Sequence, residues 1–541
     1  MEYSKLNLDQ NKEIAQEIIQ LACEKGISDR KDFEKLRNSI VKKNKAVIFS
    51  NLYFIKAYKD LLLESKIDES CNLMSILRKR SVRSKSGVAS VSVLMKPFPC
   101  PGKCIYCPSD SRMPKSYLVN QPAAQRAFRQ KFDPYNQVNI RLRALSLTGH
   151  EVSKIELRII GGTFSAYKKQ YQKWFIKRCL LAMNEFKSLN DRKSRGHRNE
   201  KYETVVKLNE KSNVRCIAID IETRPDFITA DECKRLRILN VTKVELGIQS
   251  IYDSVQKLTN RGHYYAEVVN ATKLLRDAGF KISFHVMPNL PGTTKQMDME
   301  MAEKLFSDDN LKPDFVKIYP CVVLRGTVLE KWYKDRKYNP YNDVDLFDVL
   351  YEYLKLVPEY CRVDRVLRDI PANDIVAGSL LSNFRQLLDV QSLKDKIHFK
   401  DIRSREISDF KFDLKNVKLL ERKYIASDGI EYFLSYEDVK NDKLLAMLRL
   451  RLTKNSYLNV LKNAAIIREL HVYGQQIPVG RKSDNLNVQH FGFGKKLMKR
   501  AESIAKEAGF KKVAVISGLG VREYYRKLGY VLRDTYLLKR V

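Results

Sequence analysis

Cys100, Cys104 and Cys107 stand in the run Cys100-Pro101-Gly102-Lys103-Cys104-Ile105-Tyr106-Cys107. Three thiolates at this CxxxCxxC spacing can hold three irons of a [4Fe–4S] cluster and leave the fourth iron open. An open iron can chelate the amino and carboxylate groups of S-adenosylmethionine (SAM) and deliver one electron to its sulfonium. A structural zinc site is the first alternative, but it calls for four closed ligands, and no fourth Cys or His lies nearby. Three buried structural cysteines are the second.

Another chemical signal lies near the C-terminus, in Gln489-His490-Phe491-Gly492-Phe493-Gly494, just before a helix expected from Lys495 to Ala508. Glycines expose backbone N–H groups, and a helix N-terminus favours an anion such as a pyrophosphate. The run resembles the Q/R-x-x-G-x-G/A loop of the GNAT superfamily of N-acetyltransferases. That resemblance implies acetyl-CoA contacts. It also implies a tyrosine beside the CoA sulfur, for which Tyr525 is preferred over Tyr524. The alternative makes one of these two tyrosines a core aromatic and the other a surface one.

The elements that must position these loops follow from periodicity. Strands are expected at Val91–Met95, Ile155–Ile160, Cys216–Ile221, Val244–Ile248, Ile282–Met287 and Phe315–Tyr319, with helical stretches such as Tyr265–Ala278 and Met297–Leu305 between them. Such alternation implies parallel βα units, here an open, partial (β/α)6 barrel, with chemistry at the C-terminal strand ends. The cysteine loop follows the first strand. Gly161-Gly162-Thr163 follows the second, Glu222 and Arg224 end the third, Gln249 ends the fourth, and Asn289-Leu290-Pro291-Gly292 follows the fifth. Each alone is weak; five successive strand ends together suggest cofactor contacts. Residues 187–213 read as a long polar surface excursion. Strands at 431–436, 444–451, 464–472 and 513–516 define a smaller C-terminal α/β domain. Four regions result: a helical, basic N-terminal segment over 1–75, the barrel over 76–325, a connector over 326–405, and the C-terminal domain over 406–541.

The chain has 541 residues, with 99 Lys and Arg against 64 Asp and Glu, a formal charge of +35. So large an excess argues for a polyanionic partner, nucleic acid first. Arg78, Lys79, Arg80, Arg83 and Lys85 form a basic run expected to touch RNA, with a solvated face as the alternative. Ten cysteines are too few and too scattered for a disulfide scaffold. No signal segment or membrane-spanning run is apparent, so a cytoplasmic setting and no membrane partner are expected.

The two modules in one basic chain closely resemble the catalytic subunit of Elongator and its stand-alone archaeal and bacterial relatives. The likeness includes Gly161-Gly162-Thr163-Phe164, Glu222-Thr223-Arg224-Pro225-Asp226, Thr259-Asn260-Arg261-Gly262-His263, Arg368-Asp369-Ile370-Pro371 and Arg468-Glu469-Leu470-His471-Val472. It implies a radical-SAM barrel joined to a GNAT-type acetyltransferase domain, which installs a carboxymethyl-type group at C5 of a tRNA wobble uridine. In the family scheme, SAM cleavage yields a 5′-deoxyadenosyl radical that takes hydrogen from the methyl of acetyl-CoA. The carbon radical adds to uridine C5, and thioester hydrolysis leaves the acid.

By the same resemblance, Lys154 contacts acetyl-CoA from the barrel, and Glu469, Leu470, His471, Val472, Phe493, Gly494, Lys495 and Tyr525 contact it from the C-terminal domain. Lys154 and Tyr525 are the candidate catalytic residues. Gly161, Gly162, Thr163, Glu222, Arg224 and Gln249 are candidate SAM contacts, while Gln489 and Gly492 complete the CoA loop. This chain departs from its relatives at Cys107-Pro108-Ser109-Asp110, where many read Cys-Pro-Gly-Gly. Where some bacterial relatives carry a zinc Cys-x-x-Cys, it has Asp401–Glu406, which leaves Cys321 alone, so zinc is not expected. The sequence leaves open a homo-oligomer or Elongator-like partner subunits. A protein lysine acetyltransferase with a structural iron–sulfur domain and Glu469 as base is the main alternative, and a catalytically dead tRNA-binding scaffold is another.

Overall fold

The computed structural model describes residues 11–44, 46, 50–68, 73–78, 87–186, 200–407, 412–454, 456–474 and 491–541. Short runs rich in Val and Ile become strands, with intervening amphipathic segments returning the chain across the outside. The first sheet contains β1 (Ala89–Leu94), β2 (Lys154–Ile160), β3 (Arg215–Thr223), β4 (Lys243–Gln249), β5 (Lys281–Val286), β6 (Phe315–Ile318) and β8 (Arg362–Val366). Its order is β1-β2-β3-β4-β5-β6-β8, and every pairing in it is parallel. β1 and β8 form the two ends of an open half-barrel. All six expected strands are present within a residue or two.

The seventh strand, β8, comes from residues read as a connector, so the barrel sheet extends beyond residue 325. Its sequence, Arg-Val-Asp-Arg-Val, puts charge where strand signals are apolar, and only Val363 is buried in it. The same region supplies β9 (Ile375–Ala377), which pairs with β7 (Val323–Leu324), and the helix Asp343–Leu356. Part of the expected surface excursion is also ordered. Tyr202–Asn209 is a helix that buries Tyr202 and Val205 against the helix Lys169–Asn184, while residues 187–199 lie outside the described residues.

Strand burial explains how the barrel acquires a polar lumen. β2 alternates, with Ile155, Leu157 and Ile159 buried beneath the helices and Arg158 facing the interior cavity. β4 is buried along nearly its whole length, as expected of a central parallel strand.

The C-terminal sheet comprises β10 (Val417–Ala426), β11 (Gly429–Asp438), β12 (Lys443–Leu452), β13 (Ala464–Val472), β14 (Lys512–Val515), β15 (Val531–Arg533) and β16 (Tyr536–Arg540). Its order is β10-β11-β12-β13-β14-β16-β15. β13 and β14 pair in parallel through the crossover helix Phe493–Glu507, while the other pairings are antiparallel. β10 escapes sequence reading because it is an edge strand rich in Lys, Arg and Glu, with only Ala426 buried.

The N-terminal helices α1 (Lys12–Glu24), α2 (Arg30–Lys43), α3 (Asn51–Leu63) and α4 (Met74–Leu77) share their own core, in which Phe33 meets the Phe54 ring edge-on at 5.6 Å. Lys59 Nζ donates to the Ser146 carbonyl at 2.8 Å and fastens this bundle to the barrel. Although the cysteines are too scattered for a disulfide scaffold, Cys23 is disulfide-bonded. No helix among the described residues is long and apolar enough to cross a membrane.

The C-terminal domain docks on the N-terminal ends of the barrel strands, opposite the cysteine loop. Asp314, immediately before β6, accepts from Arg468 of β13 at 2.5 and 2.8 Å and lies 3.4 Å from Arg449 of β12. Asp277, ahead of β5, pairs with Arg451 of β12, and Asn240, ahead of β4, accepts from Arg522 at 2.7 Å. Tyr536 donates to the Ala278 carbonyl at 2.7 Å. Gly518 packs directly on the Ile217 carbonyl near the start of β3, an approach that leaves no room for a Cβ.

Candidate active site

The cysteine loop leaves β1 and closes over the barrel mouth. Its backbone is tied to the end of the helix Asp253–Leu258, which follows β4: Ile105 N–H donates to the Thr259 carbonyl at 3.1 Å. Cys100, Cys104 and Cys107 are free, half-buried, and all line one cavity of about 370 Å³. A Cβ on Gly102 would lie 3.7 Å from both Cys100 Sγ and Cys104 Sγ, and 2.6 Å from Arg224 Nη1. Glycine there lets the loop fold under the sulfurs.

The donor set fits a cluster better than a single ion. Tetrahedral zinc with thiolates at its usual bond length would bring the sulfurs to about 3.8 Å from one another. Among the described residues the three cysteines do not gather within 4.8 Å as a set. A four-iron cluster holds its thiolates farther apart. Burial, followed by the neighbouring Cys104, pushes the Cys107 thiol up to about 11, so in the metal-free protein it is protonated at neutral pH. A bound metal would displace that proton.

The other expected mouth residues fall around the same cavity. Gly162, Thr163, Glu222, Arg224 and Gln249 line it. Gly161 does not: its φ of 130° and close approach to the Met95 N–H make it a packing glycine, with its carbonyl accepting from Tyr167. Glu222 accepts from Tyr117 at 2.9 Å. Arg224 grips Asp226 through two bonds of 2.8 and 3.0 Å and donates to the Gly262 carbonyl at 2.8 Å. Arg368, of the quoted Arg-Asp-Ile-Pro run, also reaches the cavity wall and donates to Ser116.

Below the mouth the lumen holds charges that sequence reasoning passed over. Glu245 of β4 accepts from Arg158 at 2.6 Å, meets His285 Nε2 at 2.8 Å and pairs with Lys317. Lys243 pairs with Asp364 at 2.7 Å. Burial opposes ionisation of Glu245, but Lys317, Arg158 and His285 hold its carboxyl well below the ordinary range. His285 is kept neutral by burial and by Lys317. Glu222, Glu245 and His285 bring ligand atoms within 4.8 Å, yet Lys317 and Arg158 already supply the positive charge a metal would bring. The available sequence signal was a charged residue at lumen-facing positions of otherwise apolar strands. Ser90 and Ser92 of β1 also line the cavity, so it reaches down towards the docked domain.

At the opposite end, Lys154 opens β2 and pairs in register with Arg215, against which Gly520 of the C-terminal domain packs. It is absent from the wall of the mouth cavity, and burial, its leading influence, lowers its ammonium pKa. Glu469, Leu470, His471 and Val472 end β13, beside the start of the helix Phe493–Glu507, whose first residues include Gly494 and Lys495. Gly492 caps that helix at φ 70°, and among the described residues no side chain caps it, so its first N–H groups face no protein acceptor there. A Cβ on Gly494 would meet the Tyr524 hydroxyl at 3.0 Å and Val472 at 3.4 Å. Tyr524 therefore borders the loop directly. Tyr525 is buried behind it, edge-on to Tyr524 at 5.2 Å.

Gln489 and the basic residues Lys79, Arg80, Arg83 and Lys85 lie outside the described residues. Arg78 is described, and its Nε donates to the Gly149 carbonyl at 2.7 Å.

A parallel half-barrel with a three-cysteine loop after its first strand defines a radical-SAM protein, and residues 99–305 match the Radical SAM superfamily. Residues 313–394 match the Radical_SAM C-terminal domain, consistent with β8 completing the sheet. The chain is 42% identical over 494 residues to the tRNA uridine(34) acetyltransferase of Methanocaldococcus jannaschii, covering 89% of each. It is 38% identical to Elongator complex protein 3 of Homo sapiens, covering 86% of each chain. A solved structure of the archaeal Methanocaldococcus infernus Elp3 with its N-terminus (1–46) deleted superposes with a TM-score of 0.73 at 39% identity, covering 84% of this chain and 100% of that one. The chain belongs to the tRNA uridine(34) acetyltransferase and Elongator complex protein 3 family.

Proposed function

We propose that this chain is an enzyme that modifies the wobble uridine of tRNA at C5, using acetyl-CoA as the carbon donor. The carrying observation is the layout of the two centres: the cysteine loop closes one end of the barrel lumen, and the domain with the CoA-type loop docks at the other. Cys100, Cys104 and Cys107 would hold the cluster, which together with SAM supplies the hydrogen-abstracting radical.

The chain's own residues position the reactants. Arg224, pinned by Asp226, presents its unpaired, buried Nη1 towards Gly102 and the mouth. Glu222 and Gln249 offer polar groups to a ligand in the same cavity. On the GNAT-type domain, the Gly492–Lys495 turn offers its N–H groups to the CoA phosphates, and the Tyr524–Tyr525 pair stands beside β13 to orient the thioester or return a proton. Lys154 contributes a cation from the barrel side of the domain junction. The charge of +35 supports a polyanionic substrate.

The lysine acetyltransferase reading needs Glu469 as base. Burial opposes its ionisation, but Arg449, donating to it at 2.8 Å, keeps its carboxyl below the usual range. A carboxylate held so firmly ionised is a poor proton acceptor.

The test is anaerobic incubation of reduced, cluster-loaded protein with SAM, acetyl-CoA and unmodified tRNA, followed by mass spectrometry of digested nucleosides. The expected product is carboxymethylated uridine. Its absence, with acetylated lysine appearing on a protein substrate instead, would overturn the proposal. Binding of tRNA should also weaken steeply as salt rises, and a flat response would remove the electrostatic argument.

A further inference from the structure

We propose that Arg261 is the counter-ion of the cluster: a buried guanidinium that donates to the Cys104 sulfur and sets the cluster's reduction potential. The inference rests on the cysteine loop holding an iron–sulfur cluster, and it assigns a role to the Thr259–His263 run, which the proposed chemistry has not used.

Arg261 lies in the loop between the helices Asp253–Leu258 and Tyr265–Asp277. It is 8% exposed, and its Nη1 is 3.5 Å from Cys104 Sγ. Nη2 donates to the Gly247 carbonyl near the end of β4, and Nε is buried with no partner. Gly247 makes the space, because a Cβ there would stand 2.8 Å from Nη2. The Ile105 to Thr259 backbone bond ties the two loops together beside this contact.

The decisive feature is charge. Among the described residues no carboxylate pairs with Arg261. Asp226 is the nearby acid, and it is already held by both arms of the Arg224 fork. A buried cation without an anion is costly, and that cost is relieved only by a paired opposite charge. Among the described residues, the Cys104 sulfur is the group able to carry a negative charge that the guanidinium touches directly. Three thiolates on a four-iron cluster would provide the missing negative charge. One-electron reduction by an external donor adds one more negative charge to that cluster. A fixed cation beside it therefore stabilises the reduced form and raises the potential.

The experiment compares wild type, R261Q and R261K after anaerobic reconstitution, with iron and sulfide assayed and the midpoint read by dithionite titration under electron paramagnetic resonance. R261Q should move the one-electron equilibrium at least tenfold against reduction, about 59 mV more negative. R261K, which keeps the charge, should recover most of that shift. If R261Q loads poorly and R261K restores loading, the counter-ion role is likewise supported. A loaded R261Q with the wild-type midpoint overturns the proposal, as does failure of both variants to load while remaining folded. A wild-type chain that takes up no cluster would instead overturn the iron–sulfur reading on which the proposal rests.

Discussion

Replacing Arg468 with methionine removes the centre of the buried charge cluster that joins the two large domains. Arg468 is fully buried and donates to Asp314 at 2.5 and 2.8 Å, to Glu431 at 3.1 Å and to the Phe280 carbonyl at 2.7 Å. Its loss leaves Asp314 with the Ile282 N–H at 2.9 Å and Arg449 at 3.4 Å. Breaking a buried pair from one side costs about 3–5 kcal/mol, and the surviving partners place this case near the lower figure. For a cooperative unit of about 150–250 residues, about 3 kcal/mol lowers the midpoint by roughly 6–12 °C. Differential scanning fluorimetry of R468M, D314N and the double variant forms a thermodynamic cycle. Contacting residues in one network should show a coupling of about 2 kcal/mol or more. A drop in R468M of less than about 2 °C, or purely additive single effects, would refute the idea that this pair holds the domains together.

Cys104→Ser should abolish cluster-dependent SAM cleavage and lower bound iron, while acetyl-CoA affinity by calorimetry stays within about twofold because that site is on the other sheet. Gly518→Ala should destabilise the domain junction by about 1–3 kcal/mol or more, seen as a lower midpoint and faster proteolysis between the domains, since the new Cβ would overlap the Ile217 carbonyl. Burial, followed by Arg261 and Arg224, pushes the His263 imidazole down to about 3. The unfolded chain therefore takes up a proton near pH 6.5 that the folded one refuses until about pH 3. Stability should fall as pH drops through that window, and His263→Gln should flatten the slope; an unchanged slope in urea titrations would contradict it.

Several features were legible because they are local. The CxxxCxxC spacing, the strand–helix alternation and the Gly492–Gly494 turn each depend on neighbours within a few residues, and backbone preference plus periodicity is enough to read them. The six barrel strands appeared within a residue or two because central parallel strands must be apolar on both faces or on every second residue. β8 and β10 were missed for the opposite reason. Their charged residues mask the apolar pattern, and only pairing with β6 and β11 makes them strands.

What the tertiary structure alone decided is the relation between distant residues. Arg261 and Cys104 are 157 positions apart, and only the closure of the barrel mouth brings their side chains together. Glu245, His285 and Lys317 come from three strands and meet because consecutive parallel strands turn alternate side chains into one lumen. The placement of the C-terminal domain at the opposite end of that lumen depends on Asp277 and Asp314 meeting arginines from β12 and β13. Sequence names the two chemistries; long-range packing of buried charge decides that they share one interior.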